Sequence, residues 1–299
     1  MRLGIGLNSE IIKAGKQIYP INSVKNVIRR LKFLLRAKRK LLFLQQFVNT
    51  MVKQGDAAVF ENHPHVLGAV EWPYIHKDWT VEKRLNSILQ HYSLVKTQPN
   101  FLHVLDKQAK QILDLHEYSP NSYLSIDRPA WFAREGEIVL SLFKELHRIN
   151  SIAFTLSKLN NDLIIYIGAI QGITASEDSL TMFKAITKDF EGLRPTSFMI
   201  EIIRMLANKI GVKKILAISD TYRHHHHAYF KGSLNKMLIT HYNDTWIDHQ
   251  GEELDNGFYL IPVAEHRRNI ADISSNKRAM YKRRYQMLNE IKQSISLLN

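Results

Sequence analysis

At 299 residues and 45% hydrophobic content, the chain has enough apolar material to bury a substantial core, which argues against a disordered polypeptide. The absence of cysteine excludes disulfides, thiolate metal ligands and a cysteine nucleophile. The formal net charge of +13 points to an anionic partner, a membrane surface or a nucleic acid.

The first twenty residues lack an uninterrupted apolar core of signal-peptide length, and no later stretch approaches the roughly 18 apolar residues of a spanning helix. The expected location is the cytoplasm, with peripheral attachment to the inner face of the inner membrane. Between Glu10 and Asp56 there is no acidic residue, while eleven lysines and arginines fall in the same interval. Asn22 and Ser23 are candidate N-caps for a helix that continues to about Lys53. Val24, Val27, Ile28, Leu31, Leu34, Leu35, Leu41, Leu42 and Val48 recur in it at helical spacing. Arg29, Arg30, Lys32, Arg36, Lys38, Arg39 and Lys40 are the candidate membrane-binding cations. Three readings stay open: a core-packing helix with a solvated basic face, a helix lying on anionic lipid, and a nucleic-acid-binding helix. Without an RNA-binding aromatic signature or a DNA-reading helix, nucleic acid ranks last.

A Pro- and aromatic-rich passage, ENHPHVLGAVEWPYIHKDW, leads to Thr80 as the cap of a helix bearing Val81, Leu85, Ile88, Leu89 and Tyr92. Residues 1–120 are expected to form a basic helical N-terminal region, and 121–299 an α/β core with a C-terminal helix. NSYLSID, EIVLSLFKE, SIAFTLSKL and DLIIYIGAIQG read as antiparallel strands, with Asn160, Asn161 and Asp162 turning between the last two. Thr174 and Glu177 have capping-box spacing ahead of SLTMFKAITKDF. Pro195 opens a second helix that Gly211 ends. KILAISD and GFYLIPV read as further strands, and SSNKRAMYKRRYQMLNEIKQSISLL as a closing helix. The fold class is α/β, with a mixed, mainly antiparallel sheet and flanking helices.

Four groups of residues are candidates for chemistry. Asp220 ends a buried strand just before His224, His225, His226 and His227. These histidines read as structural side chains, as a general base oriented by the carboxylate, or, more weakly, as metal ligands, since consecutive positions lack the spacing of a strong zinc motif. No metal site is assigned. Tyr242, Asp244 and Trp246 either wall a substrate pocket or pack in the core. Gln171 and Gly172 end a strand where a ligand has access to the backbone, or mark a bulge. Gly192, Arg194 and Pro195 suit an anion held at a helix N-terminus, and equally suit an ordinary helix start.

Trp72-Pro73-Tyr74, Gly168 with Gln171 and Gly172, Gly192-Leu193-Arg194-Pro195, the Tyr242–Trp246 segment and KRAMYKRR at 277–284 together resemble the VirK/YbjX family of Gram-negative bacteria. That resemblance implies a role in virulence and in resistance to cationic antimicrobial peptides, on a domain of unknown function. The order of antiparallel strands, helix and strand over 163–219 resembles the core of the GNAT acyltransferases, although the glycine-spaced acetyl-CoA loop of that family does not occur here. It implies a GNAT-like core, with an acyl-CoA or acyl-carrier-protein donor held at Gln171, Gly172, Gly192 and Arg194. In that layout Arg194 and the histidines share one cleft. The functional readings are a peripheral-membrane acyltransferase, a non-enzymatic factor bound to anionic membrane, and a nucleic-acid-binding regulator.

Overall fold

The structure, a computed structural model, describes residues 3–20, 23–104, 108–173, 176–230 and 241–299. The basic arm begins with α1 (Leu3–Ile18), α2 (Val24–Arg39) and α3 (Leu41–Lys53), followed by α4 (Ala58–Asn62), a 3-10 turn (Pro64–Val70) and α5 (Val81–Val95). Ser23 caps α2 and Thr80 caps α5, each hydroxyl accepting a first-turn N–H. Asn22, the other candidate cap, lies outside the described residues. The one continuous helix expected over this arm is two helices, because Lys40, at φ −115° and ψ 25°, leaves the helical region. Packing accounts for the break. Phe33 and Ala37 bury one side of α2, which touches α1 and the 3-10 turn, whereas Leu44, Phe47 and Met51 bury one side of α3, which lies along α5.

The sheet contains β1 (Lys110–Asp114), β2 (Ser122–Asp127), β3 (Ile138–Lys144), β4 (His147–Leu159), β5 (Asp162–Gly172), β6 (Lys214–Ile218), β7 (Glu252–Glu253) and β8 (Phe258–Ile261). Their order is β1-β2-β3-β4-β5-β6-β8-β7, antiparallel throughout except between β5 and β6. β1 falls within the stretch read as helical; its exposed edge position leaves it without the apolar alternation that marks the other strands. Asn160 and Asn161, at φ 51° and 69°, form the tight turn of the β4–β5 hairpin.

α6 (Glu177–Asp189) and α7 (Pro195–Lys209) cross over from β5 to β6. Thr174 lies outside the described residues, and the capping box at the start of α6 is formed by Ser176 and Ser179. α7 buries Phe198, Met199, Ile202, Ile203 and Leu206, each contributing about 1.5–3 kcal/mol relative to exposure. α8 (Tyr242–Asp248) follows β6, and α9 (Ser275–Leu297) closes the chain against α7. The result is an α/β fold with a mixed, mainly antiparallel sheet, flanking helices and a helical N-terminal region.

The pleat of β4 and β5 separates two faces. Thr155 meets Tyr74, and Ser157 meets Gln90 of α5, on the face covered by the N-terminal helices. In register, Ser151 lies opposite Gln171 on that same face, whereas Asn150 points the other way and donates to Thr196 of α7. The gap between the parallel strands lies between these two faces.

Candidate functional site

β5 and β6 pair only from Ile164 to Ile167, and β5 runs on to Gly172 after β6 has ended. Beyond the paired stretch, the loop between β2 and β3 lies flat on the N-terminal face. A Cβ on Gly168 would sit 2.0 Å from the Glu135 carbonyl oxygen, so only glycine permits that approach. Glu135 is buried, and Gln171 Nε2 donates to both its carboxyl oxygens, at 3.1 and 3.0 Å. His224 Nδ1 faces the same carboxyl at 3.8 Å. Burial raises the Glu135 pKa to about 8, against the downward pull of Arg223 and Arg134. Burial, with His225 and Arg134 adding to it, holds His224 well below the ordinary histidine value. Burial thus favours the neutral form of both groups, a carboxyl and an imidazole in contact.

The Trp72–His76 segment helps to position this pair. The Ile75 N–H donates to the Arg134 carbonyl at 2.7 Å, and Ile75 is a buried β-branched residue at φ 57°, a strained conformation held by its surroundings. His76 forms a β-bridge with Arg223, the residue just before the histidine run. Sequence reasoning missed Glu135, Arg134 and Ile75. The one signal for them is Gly168 inside an otherwise β-branched strand, since an interior glycine there marks a close backbone approach.

The histidine run divides by environment. His224 and His225 are buried, His226 is exposed and His227 half-buried. Desolvation, reinforced by Arg223, lowers His225 to about 3. Asp220 anchors α8: its carboxylate accepts the Tyr242 N–H at 2.9 and 3.0 Å and the Asn243 N–H at 3.1 Å. Tyr242 and Trp246 are fully buried, with Trp246 Nε1 donating to the Ile218 carbonyl at the end of β6, while Asp244 is exposed. Tyr242 and Trp246 thus pack at the ends of the parallel strands, and the expectation that they wall an open pocket is not met. Among the described residues, no group of three or more His, Asp or Glu side chains converges on a metal position.

Arg194 lies on the other face. It is the N-cap residue of α7, exposed, beside a cavity of about 560 Å³ between α7, the end of α8, the loop after β8, and α9. Gly192, at φ 75°, ends α6 in a left-handed turn whose N–H donates to the Thr187 carbonyl, and it lies close to Met280 and Arg284 of α9. Gln171 and His224 therefore come together on one face while Gly192 and Arg194 occupy the other, with Tyr242 between. The single cleft expected for donor and base does not form, because α7 packs on the Asn150 face of the sheet, opposite the face that carries Glu135, Gln171 and His224.

In the basic arm, α2 has three stripes. At about 100° per residue, Phe33 and Ala37 face the body with half-buried Arg30 and Leu34. Val24, Val27, Ile28, Leu31 and Leu35 lie on the opposite side and are open to solvent, Val24 at 79%, Leu31 at 55% and Leu35 at 60% exposed. Lys25, Arg29 and Lys32 form one flank, and Lys38, Arg39 and Lys40 are exposed near the C-terminal end. Two of the candidate cations are engaged with the body: Arg30 donates to the Tyr19 carbonyl, and Arg36 pairs with buried Glu71 at 2.8 Å. No helix among the described residues is long and apolar enough to cross a membrane.

A profile of the family described as "Protein of unknown function (DUF535)" matches residues 22–296. The chain belongs to this family. Relatives include an uncharacterized protein of Haemophilus influenzae, 26% identical over 83% of this chain and 80% of its own length. A second uncharacterized protein of that organism is 24% identical over 94% and 96%. The Escherichia coli protein "Uncharacterized protein YbjX" is 24% identical over 90% and 83%. These matches bear out the VirK/YbjX resemblance. No solved structure matches, so the resemblance to the GNAT core gains no support. In this DUF535 chain four of the five motifs of the resemblance fall around two places, and the fifth, Tyr242–Trp246, packs at the end of β6. Trp72–Tyr74 and Gly168–Gly172 surround Glu135, and Gly192–Pro195 and 277–284 adjoin the cavity at α7.

Proposed function

We propose that this protein is a peripheral membrane protein that lies on anionic lipid through α2. The observation that carries the reading is the outward apolar stripe Val24, Val27, Ile28, Leu31 and Leu35, flanked by unopposed cations on a helix whose other side is already packed. An interfacial helix gains from burying such a stripe at the headgroup boundary, and each nearby Lys or Arg adds about 1 kcal/mol on an anionic leaflet. Nucleic acid would reward the same charges but gives the stripe nothing to bury. Co-sedimentation with phosphatidylglycerol vesicles tests the reading: binding is expected, weakening as salt rises. Undiminished binding by the folded Leu31→Asp/Leu35→Asp variant would count against it, as would competition by DNA at comparable affinity.

One observation favours a second activity on the same scaffold, acyl transfer. What supports this reading is the contact of the buried Glu135 carboxyl with His224 Nδ1 at 3.8 Å, with burial pushing the carboxyl up and the imidazole down. In this reading the acceptor's O–H or N–H proton passes to the imidazole while its oxygen or nitrogen displaces thiolate from an acyl thioester. The carboxyl gives its own proton to the thiolate, and the imidazolium passes the acceptor's proton to the carboxylate, which restores the pair. Thiol release from acyl thioesters in the presence of membrane extract is expected to fall at least a hundredfold in both Glu135→Gln and His224→Asn. No thiol release by the folded wild-type protein would remove this reading and leave membrane docking standing.

A further inference from the structure

The cavity at the start of α7 concentrates positive charge that the protein compensates only in part. Five of its lining residues are arginines: Arg194, Arg204, Arg267, Arg268 and Arg284. Three are committed to protein partners. Arg204 donates to Glu201 and to the Pro262 and His249 carbonyls, Arg284 to the Glu191 carbonyl, and Arg267 to Glu265. Arg194 and Arg268 are exposed at the mouth, and neither guanidinium has a protein hydrogen-bond or ion-pair partner among the described residues. Two carboxylates line the same space: Glu201, tied to Arg204, and Asp248, exposed on α8.

The helix start adds to this surplus. α7 has 15 residues, no acidic residue in its first turn, and an arginine at the N-cap whose side chain caps nothing. Capping normally falls to Ser, Thr, Asp or Asn, and a cation at the positive end of a helix dipole is unfavourable. Pro195 has no N–H, but that of Ser197, which lines the cavity, lies in the first turn, where no intrahelical acceptor is available. Tyr281 and Tyr285 stand along the α9 wall, with Arg284 over the first ring at 4.2 Å and Arg267 over the second at 5.4 Å. These stacks hold guanidinium groups beside the cavity, so that the charges are fixed in position.

We propose that this cavity binds a phosphate-bearing ligand of at least two negative charges, held by Arg194, Arg268 and the Ser197 N–H at the start of α7. Its volume suits a small phosphorylated molecule or a phospholipid headgroup, and a guanidinium fork matches phosphate oxygens in either source. This site is on a different part of the molecule from the α2 stripe, so it goes beyond membrane docking.

Calorimetric titration of the full chain with inorganic pyrophosphate, alongside sulfate at matched ionic strength, tests the proposal. Saturable pyrophosphate binding is expected, with sulfate at least tenfold weaker. Arg194→Gln and Arg268→Gln, both exposed positions, are each expected to weaken binding at least fivefold, while Lys213→Gln, exposed and outside both sites, leaves it unchanged. Flotation with phosphatidic acid vesicles separates the sources when it is carried out in the Leu31→Asp/Leu35→Asp background, which removes docking through α2. Flotation of that background that is lost on adding Arg194→Gln/Arg268→Gln assigns the phosphate to a lipid headgroup, and no flotation of that background with pyrophosphate binding kept assigns it to a soluble ligand. A folded wild-type chain that binds vesicles but not pyrophosphate overturns this inference and leaves the α2 reading intact. Pyrophosphate binding that survives both substitutions overturns it as well.

Discussion

Glu135 is a buried carboxyl on the N-terminal face, and its titration leaves a mark on stability. Its pKa is raised from the ordinary carboxylate range to about 8, so between these values the folded state holds a proton that the unfolded state releases. Stability from this group is complete at low pH and is lost as pH climbs toward 8, at up to about 1.4 kcal/mol per pH unit. Glu135→Gln mimics the protonated form. Denaturation midpoints measured from pH 5 to 8 should therefore fall more steeply for the wild type than for the variant, and parallel curves would mean that Glu135 ionises normally. Fully buried His91, whose Nδ1 accepts the Leu156 N–H at 3.2 Å, acts in the opposite direction. Desolvation lowers it to about 3, so its contribution is present above the unfolded value near 6.5 and is lost as pH falls below it. Gly168→Ala is the steric counterpart, since a methyl 2.0 Å from the Glu135 carbonyl forces the loop off the sheet. Thermal or chemical denaturation is expected to show a loss of about 2–3 kcal/mol. A cost near zero would mean that the loop carrying Glu135 is free to lift.

At the scale of elements, the strands from Ser122 to Gly172 were legible because apolar and β-branched residues recur between clear turn signals, Asn160-Asn161 among them. The boundaries of α7 were legible from Pro195 and Gly211 for the same kind of local reason. Less visible was which side of α2 would face the body. Its apolar stripe has the spacing of a core-packing helix, yet Phe33 and Ala37, outside that stripe, make the packed side. Periodicity reports amphipathicity and not the identity of the partner. The break at Lys40 was hidden likewise, since no Gly or Pro marks it and tertiary packing sets it. The arm is tied to the body by Arg36 and Glu71, a pair in which the carboxylate is buried and the guanidinium about half exposed. Arg36→Ala is expected to cost about 1–2 kcal/mol in chemical denaturation, because it removes the guanidinium partner of a buried carboxylate that keeps the Tyr19 hydroxyl. A cost below about 0.3 kcal/mol would mean that α2 is held by its apolar contacts alone.

On the scale of the whole molecule, the candidate sites lie on separate faces: Glu135 with His224 beneath the N-terminal helices, and the arginine-lined cavity beyond α7. The juxtaposition of Arg194 with the histidines could not be settled from sequence, because it depends on strand register. One residue of shift would have moved Gln171 to the other face. The absence of cysteine makes the central claim, that α2 lies on anionic lipid, directly measurable, because one introduced thiol labels uniquely. An environment-sensitive fluorophore on Leu31→Cys, compared with the same label on the exposed Lys213→Cys beyond the arm, reports immersion position by position. With phosphatidylglycerol vesicles at low salt, the label at 31 should shift to the blue and that at 213 should not. An unshifted spectrum at position 31, in folded protein that co-sediments with those vesicles, would contradict docking through α2.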